Sequence, residues 1–527
     1  MLRLASAGCA LALAAGLVLL LCSPAHVAAV PAAGAVPGAD YPPAAGAVQG
    51  RATFTDILMS VFGYFKTGIE ALLGREGATN ALVGAHRVKY TNYQLLRAQA
   101  RTEAQVTELM ELGQDMDGDV KFWTQSRRNV PLDMLVAPDS VEEVKAFLKK
   151  RGIKYEVVFQ DLQQMISMQN PKMTKDQRDI LRSQVGHSMT FKRYHRYSDM
   201  LKYIEHLSIA HPQLVQIINI GKSSEGLPLK VVKVSTGHGK DEEPKQKPGF
   251  WIDGGTHARE WISPAASLYI LKQLVENFKV NRKIVEGIDW YVMPMVNPDG
   301  YEYSHTTDRL WRKTRSKSSD AADEDDSAAS GEASGRSATR RSRRRGARVF
   351  WEQCEGVDIN RNWDFHWGGR GASDDPCDET YSGSKPFSEP ETRAIADFLM
   401  NNRDKFKVFI SLHSYAQMWL LPWGFTKTAP DDYNDLMEMG RTAVDAIAKV
   451  GGTKYDIGGA TSLLYHSSGG ADDWAKGVAG IKYSYTVELR DTGNYGFLLP
   501  ASQIISTGKE IFAGVKAMAK SLLNTSN

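Results

Sequence analysis

Apolar positions along this chain follow two periods. Between residues 187 and 523, short apolar runs alternate with stretches of helical spacing. The runs at 228–235, 249–253, 289–295, 407–412 and 482–489 predict strands, and the stretches at 264–278, 390–401, 434–450 and 504–522 predict helices. Strands that are apolar on both faces, with helices between them, indicate an α/β domain with a largely parallel or mixed sheet. Such sheets carry their sites in loops at the strand ends.

The pattern ahead of this region is denser and shorter. It predicts a strand at 86–95, a helix at 103–112, strands at 119–123 and 132–136, a helix at 140–151 and a strand at 154–159. Asp139 and Ser140, followed by Glu142 and Glu143, give the second helix an acidic start. Residues 87–165 therefore form a small α+β domain. Residues 166–186 are polar and carry Lys172, Lys175, Arg178 and Arg182. An exposed basic connector of this kind is open to a trypsin-like protease, and Arg182–Ser183 is the candidate bond. Further upstream, 53–73 has apolar residues at helical spacing, and 30–50 is an Ala/Pro/Gly-rich linker.

Composition places the chain among globular proteins and removes one class of partner. Of 527 residues, 42% are hydrophobic and 24% charged, and the net charge of +3 gives no electrostatic case for nucleic acid. Arg3, the apolar run 5–21 and the small residues Val27-Ala28-Ala29 predict an export signal over 1–29, with an uncleaved anchor as the alternative. No later stretch approaches the ~20 apolar residues of a membrane span. The reading is a secreted, extracellular protein from an oxidising route. Cys9 and Cys22 fall inside the signal, which leaves Cys354 and Cys377 as a pair. A bridge between them contributes about 3 kcal/mol by the chain-entropy model. Residues 316–348 carry an acidic and then a basic block with few apolar side chains, and read as a charged, disordered insertion.

The chemistry starts at the exit of the 249–253 run. His257 and Glu260, three residues apart, can turn two donor atoms to one ion. His413 leaves another predicted strand in the same setting. Two histidines and one glutamate leave a fourth position open, the pattern of a catalytic zinc site. Glu488, near the end of the 482–489 run, offers the base that hydrolytic chemistry needs. A structural pair between Glu488 and Arg490 or Arg361 is the competing reading.

Six motifs together carry a resemblance. They are Thr256-His257-Ala258-Arg259-Glu260-Trp261-Ile262, Val296-Asn297-Pro298-Asp299-Gly300-Tyr301, Leu310-Trp311-Arg312-Lys313-Thr314-Arg315, Asp358-Ile359-Asn360-Arg361-Asn362-Trp363, His413-Ser414-Tyr415 and Val487-Glu488-Leu489-Arg490-Asp491. Residues 187–523 resemble the zinc metallocarboxypeptidases of the pancreatic A/B type, and 87–165 their inhibitory pro-domain. The resemblance implies a mixed eight-stranded sheet flanked by helices, with an open-sandwich pro-domain before it. It implies one Zn²⁺ held by His257, Glu260 and His413, with Glu488 as general base and Asp358 orienting a zinc histidine. Arg315 matches the cation that polarises the scissile carbonyl. Asn360 and Arg361 match the pair that holds a substrate's terminal carboxylate, Arg259 a secondary substrate arginine, and Tyr465 the tyrosine that caps the bound residue. Cys354 and Cys377 match the family's disulfide. The implied partners are peptides with a free C-terminus and an activating trypsin-like protease.

Family members differ at the floor of the specificity pocket. Counting from Tyr465, that position falls on Asp472, with Asp473 beside it and Trp474 fixing the register. An aspartate there suits lysine and arginine, and an apolar residue suits aromatic or aliphatic side chains. Gly424 and Ala460 leave room for a long side chain. The expectation is a B-type zymogen. The alternatives are an A-type enzyme and an inactive binding protein of the same fold. The resemblance does not account for the insertion at 316–348 or the helix at 53–73.

Overall fold

The computed structural model describes residues 87–183, 186–237, 247–317 and 354–525. The export signal, the 30–86 segment with its helix, and all but the first two residues of the 316–348 insertion lie outside the described residues.

The first domain is a four-stranded antiparallel sheet in the order β2-β3-β1-β4, with β1 Gln94–Gln99, β2 Val120–Phe122, β3 Pro131–Val136 and β4 Lys154–Phe159. Helices α1 (Glu103–Asp115) and α2 (Val141–Lys150) cover one face. Side chains alternate across a strand, and β3 shows what that sorts. Leu132, Met134 and Val136 join the helix-side core with Leu96, Ala98, Leu109 and Val144. Leu135 turns the other way, onto Trp123, Leu310, Phe497 and Leu498. Both faces are buried because the second face lies on the larger domain. The first strand starts at Gln94 rather than 86, because Thr91 and Asn92 form a turn with Asn92 at φ 61°. The connector holds two helices, α3 (Leu162–Gln169) and α4 (Lys175–Ser183).

The larger domain is built on an eight-stranded mixed sheet. Its strands are β5 Val215–Lys222, β6 Pro228–Val234, β7 Gly249–Gly254, β8 Asp289–Met293, β9 Phe406–Ser414, β10 Met418–Leu421, β11 Asp456–Gly459 and β12 Tyr483–Leu489, in the order β11-β10-β12-β9-β7-β8-β6-β5. The central strands β12, β9, β7 and β8 run parallel. Helices α5 (Tyr197–Ala210), α6 (Ile262–Val275), α7 (Phe278–Gly287), α10 (Tyr433–Gly451) and α13 (Ile504–Thr525) pack on one face. Helices α9 (Pro390–Met400) and α12 (Ala471–Gly477) pack on the other. Two short helices complete the numbering, α8 (Pro298–Thr306) and α11 (Ala460–Leu463). All six residues of β7 are buried, as a strand covered on both faces requires.

Five strands follow the predicted runs closely, and β5, β10 and β11 go beyond them. β10 has only four residues, and β11 ends in Gly458 and Gly459, a residue type depleted in strands. Cys354 and Cys377 form a disulfide, with Cα atoms 4.6 Å apart. Among the described residues no helix is long and apolar enough to cross a membrane.

Candidate metal centre and substrate groove

Three adjacent parallel strands end at one place. Glu488 on β12 pairs in register with His413 on β9, and β7 beside them ends at Gly254. The chain then turns through Gly255 at φ 72°, where an added Cβ would lie 2.8 Å from Met295 Sδ. That turn brings His257 and Glu260 back over the strand ends, just before α6 begins.

His257 Nδ1 lies 2.7 Å from Glu260 Oε1 and 3.1 Å from His413 Nδ1. His413 Nδ1 lies 3.2 Å from Glu260 Oε2. All three side chains are buried. Their outer atoms are held as well. His257 Nε2 lies 3.1 Å from Asp358 Oδ1, and His413 Nε2 lies 3.2 Å from Ser411 Oγ. With both Nε2 atoms donating, the two Nδ1 lone pairs and the Glu260 carboxylate converge, and three acceptors facing one another call for a cation. The field acts on His413 in the same sense. Burial alone would lower its pKa, and the Glu260 carboxylate more than reverses this, to about 9. Two imidazoles and one carboxylate are a donor set that zinc takes readily. Among the described residues this is the single group with metal-holding geometry.

Asp358 organises the neighbouring wall from a fully buried position. Its Oδ2 accepts from Arg312 Nη2 at 2.8 Å and Nε at 3.2 Å, and its Oδ1 also accepts from Asn360 N at 3.0 Å. Arg361 donates from Nε to Gly371 O and from Nη1 to Asn360 O. Its Nη2 has no hydrogen-bond partner among the described residues. Asn360 Oδ1 accepts from Ala471 N at 2.9 Å, which orients the amide and leaves its Nδ2 for a ligand. Tyr465 is half-buried. Arg259 sits deeper. It pairs with Glu379 at 2.7 Å and lies 4.3 Å over the Phe497 ring.

Arg315 does not reach this site, which corrects the expectation for it. Its guanidinium pairs with Glu355 and lies 3.7 Å over Tyr303 and 4.5 Å over Trp311. Arg312 occupies the place expected of it, on Asp358 and within the field of Glu260 and Glu488. The segment from Leu310 is non-helical, and Arg312 and Arg315 leave it toward different partners, Asp358 and Glu355. The motif supplied two arginines and no means of choosing between them.

Asp472 lies in the first turn of α12 and is buried. Its carboxylate is raised by burial, against the pull of its own and Asp473's backbone N–H, of His413 and of the Thr486 hydroxyl. It forms no ion pair among the described residues. Asp473, its neighbour, is occupied otherwise. Gly424 N donates to its two oxygens at 3.0 and 2.9 Å, and Phe425 N at 3.2 Å. Burial likewise pushes Glu488 above the ordinary carboxylate range, while His413 and Arg312 act against it.

Residues 200–514 match the family model described as zinc carboxypeptidase, and residues 96–169 that of the carboxypeptidase activation peptide. The chain belongs to the zinc carboxypeptidase family. This carboxypeptidase is similar to carboxypeptidase B of Astacus astacus, at 44% identity over 337 residues, 64% of this chain and 99% of that protein. It is similar to carboxypeptidase A1 of Sus scrofa, at 36% identity over 439 residues, 82% of this chain and 95% of that protein. Among solved structures it resembles thrombin activatable fibrinolysis inhibitor, with TM-score 0.69 and 32% identity over 82% of this chain and all of that one. It also resembles the carboxypeptidase A from Helicoverpa armigera, with TM-score 0.69 and 25% identity over 84% of this chain and all of that one. The carboxypeptidase is therefore a zinc-dependent peptide hydrolase preceded by an activation domain, a zymogen.

Proposed function

We propose that this zymogen is exported, and that its mature form removes lysine and arginine from peptide C-termini. The carrying observation is Asp472. A buried carboxylate without a cationic partner is costly, and a substrate's ammonium or guanidinium is the partner it lacks. Asp473 faces the other way, onto the backbone N–H groups of Gly424 and Phe425.

His257, Glu260 and His413 would hold the zinc ion. When bound, zinc supplies Lewis acidity toward a carbonyl and a water. The protein's own groups do the rest. Asn360 Nδ2 and Arg361 Nη2 receive the terminal carboxylate, which restricts the reaction to chain ends. Arg312, held on Asp358, offers its remaining Nη1 to the carbonyl oxygen as charge develops there. Glu488 takes a proton from the attacking water onto its carboxylate and returns it to the departing amine. Tyr465 closes over the bound residue. Arg259, pinned by Glu379, serves residues upstream of the cleaved bond.

Activation requires a cut in the 166–186 connector. Helix α4 within it is exposed, which suits a trypsin-like protease. The test uses the cut protein on matched peptides ending in Arg and in Phe. Preference for Arg is expected, and Asp472→Ile should lower cleavage at Arg by roughly 10²–10³-fold while sparing Phe. Equal losses on both peptides would refute Asp472 as the pocket floor, and a preference for Phe in the unmodified enzyme would establish A-type specificity instead.

A further inference from the structure

The two zinc histidines are oriented by different means. Asp358 reaches His257 directly, whereas no carboxylate oxygen touches His413 Nε2 among the described residues. Its neighbour is Ser411 Oγ, at 3.2 Å. Ser411 Oγ in turn donates to Asp253 Oδ1 at 2.6 Å, and Trp251 Nε1 donates to Asp253 Oδ2 at 2.8 Å. We infer that Asp253 and Ser411 are positioning residues, a buried relay that fixes the metal-binding tautomer of His413.

The sheet builds this relay. Ser411 and His413 are two residues apart on β9 and share a face, as do Trp251 and Asp253 on β7. Asp253 and Ser411 are register partners across the β7–β9 pair. Both are almost fully buried, so water does not replace either partner. With a metal ion taking the Nδ1 lone pair of His413, one arrangement of protons satisfies every atom of the row. Trp251 and Ser411 fill the two Asp253 oxygens, so the serine proton points to Asp253. The serine oxygen then accepts from His413 Nε2, and Nδ1 keeps its lone pair toward Glu260 and His257. Without the hydroxyl, His413 loses the partner that selects between its two ring nitrogens.

The row continues beyond the metal. Thr486 on β12 is the register partner of Ser411 on its other side, and its hydroxyl is among the groups that act against the rise of the Asp472 carboxyl. The relay therefore lies under the zinc histidine and beside the pocket floor.

This inference rests on the zinc site, and its test reads metal rather than turnover. Zinc dissociation constants of the full chain are measured by competition with a chelator of known affinity. Ser411→Ala and Asp253→Asn should each weaken binding about 10–100-fold, the usual effect of losing such a partner. The double variant should be no weaker than the weaker single variant, because both changes break one chain. In the zinc-loaded unmodified protein, the His413 Nε2 proton should be observable and slow to exchange, and Ser411→Ala should abolish that protection. Unfolding of the zinc-free variants controls for the fold, and Ser411→Ala decides alone if Asp253→Asn does not fold. Zinc affinity of Ser411→Ala within about twofold of the unmodified protein overturns the relay, as do single losses that multiply. An unmodified chain that binds no zinc overturns the metal site itself, a distinguishable result.

Discussion

Arg127 of the activation domain donates from Nη1 to Leu463 O at 2.8 Å, two residues before Tyr465. The same guanidinium bonds Ser462 O at 3.0 Å and also reaches Leu464 O. These carbonyls close the C-terminal end of the four-residue helix α11, where backbone acceptors lack helical partners. A cation there is favourable both as a donor and against the helix dipole. The contact spans more than three hundred residues of sequence. It ties the loop that carries Tyr465, the proposed capping residue, to the activation domain.

Arg127→Ala should therefore loosen that loop in the uncut protein. The expected result is several-fold higher residual hydrolysis of a small C-terminal substrate by the zymogen, with faster proteolytic nicking at 462–466. The activated enzyme should be unchanged, since it no longer contains Arg127. Unaltered zymogen activity with unaltered nicking would show that other contacts restrain the loop.

Arg312 and Arg315 separate two readings of one motif. Arg312→Ala should lower kcat/KM by about 10²–10³-fold, the scale of a lost transition-state donor. Arg315→Ala removes a pair with Glu355 and two ring contacts outside the site. It should cost stability while leaving kcat/KM within a few-fold. A larger catalytic loss for Arg315 than for Arg312 would reverse the assignment.

Gln169 closes the activation domain onto a buried arginine. Its Oε1 accepts from Arg309 Nε at 2.8 Å, and its Nε2 donates to Phe497 O at 3.1 Å. Among the described residues Arg309 has no carboxylate partner, and burial lowers its pKa to about 9. Gln169→Ala leaves the Arg309 Nε unpaired, at a cost of about 1–3 kcal/mol. Activity should then appear sooner after a cut in the connector. An unchanged delay between cleavage and activity would place the holding energy in the Trp123, Tyr415 and Phe497 aromatic contacts instead.

The sequence made some parts of this site legible and hid others for physical reasons. His257 and Glu260 follow one apolar strand, His413 and Glu488 lie near the ends of two others, and hydrophobic runs are the strongest local signal. The ladder that sets Glu488 beside His413 was not in the sequence, because register depends on which strands pair. Ser411 carried a readable signal, two residues before His413 on one strand. Its partner Asp253 lies 158 positions away and needed the sheet. Arg312 and Arg315 were indistinguishable because a segment that is neither helix nor strand has no apolar period to assign its faces. The two-sided burial of β3 was equally invisible, since it depends on a second domain.

Glu391 gives a pH signature remote from the catalytic groups. It is fully buried in the first turn of α9, where Ser224 N donates to Oε1 at 2.9 Å and Ser224 Oγ at 3.1 Å. Burial raises its pKa from the ordinary 4.5 to about 7, with Glu389 and Asp299 adding to the rise and Ser224 N opposing it. Between those two values the folded chain holds a proton that the unfolded chain has released. Stability from this group is thus fully present below about pH 4.5 and is lost as pH rises through 7. The difference amounts to roughly 3 kcal/mol at most. Glu391→Gln replaces the protonated acid with a neutral amide of the same shape. The variant and the unmodified protein should melt together near pH 5, and the variant should melt higher by several degrees at pH 8. A melting difference that stays constant from pH 5 to 8 would show that Glu391 is ionised in the folded protein throughout.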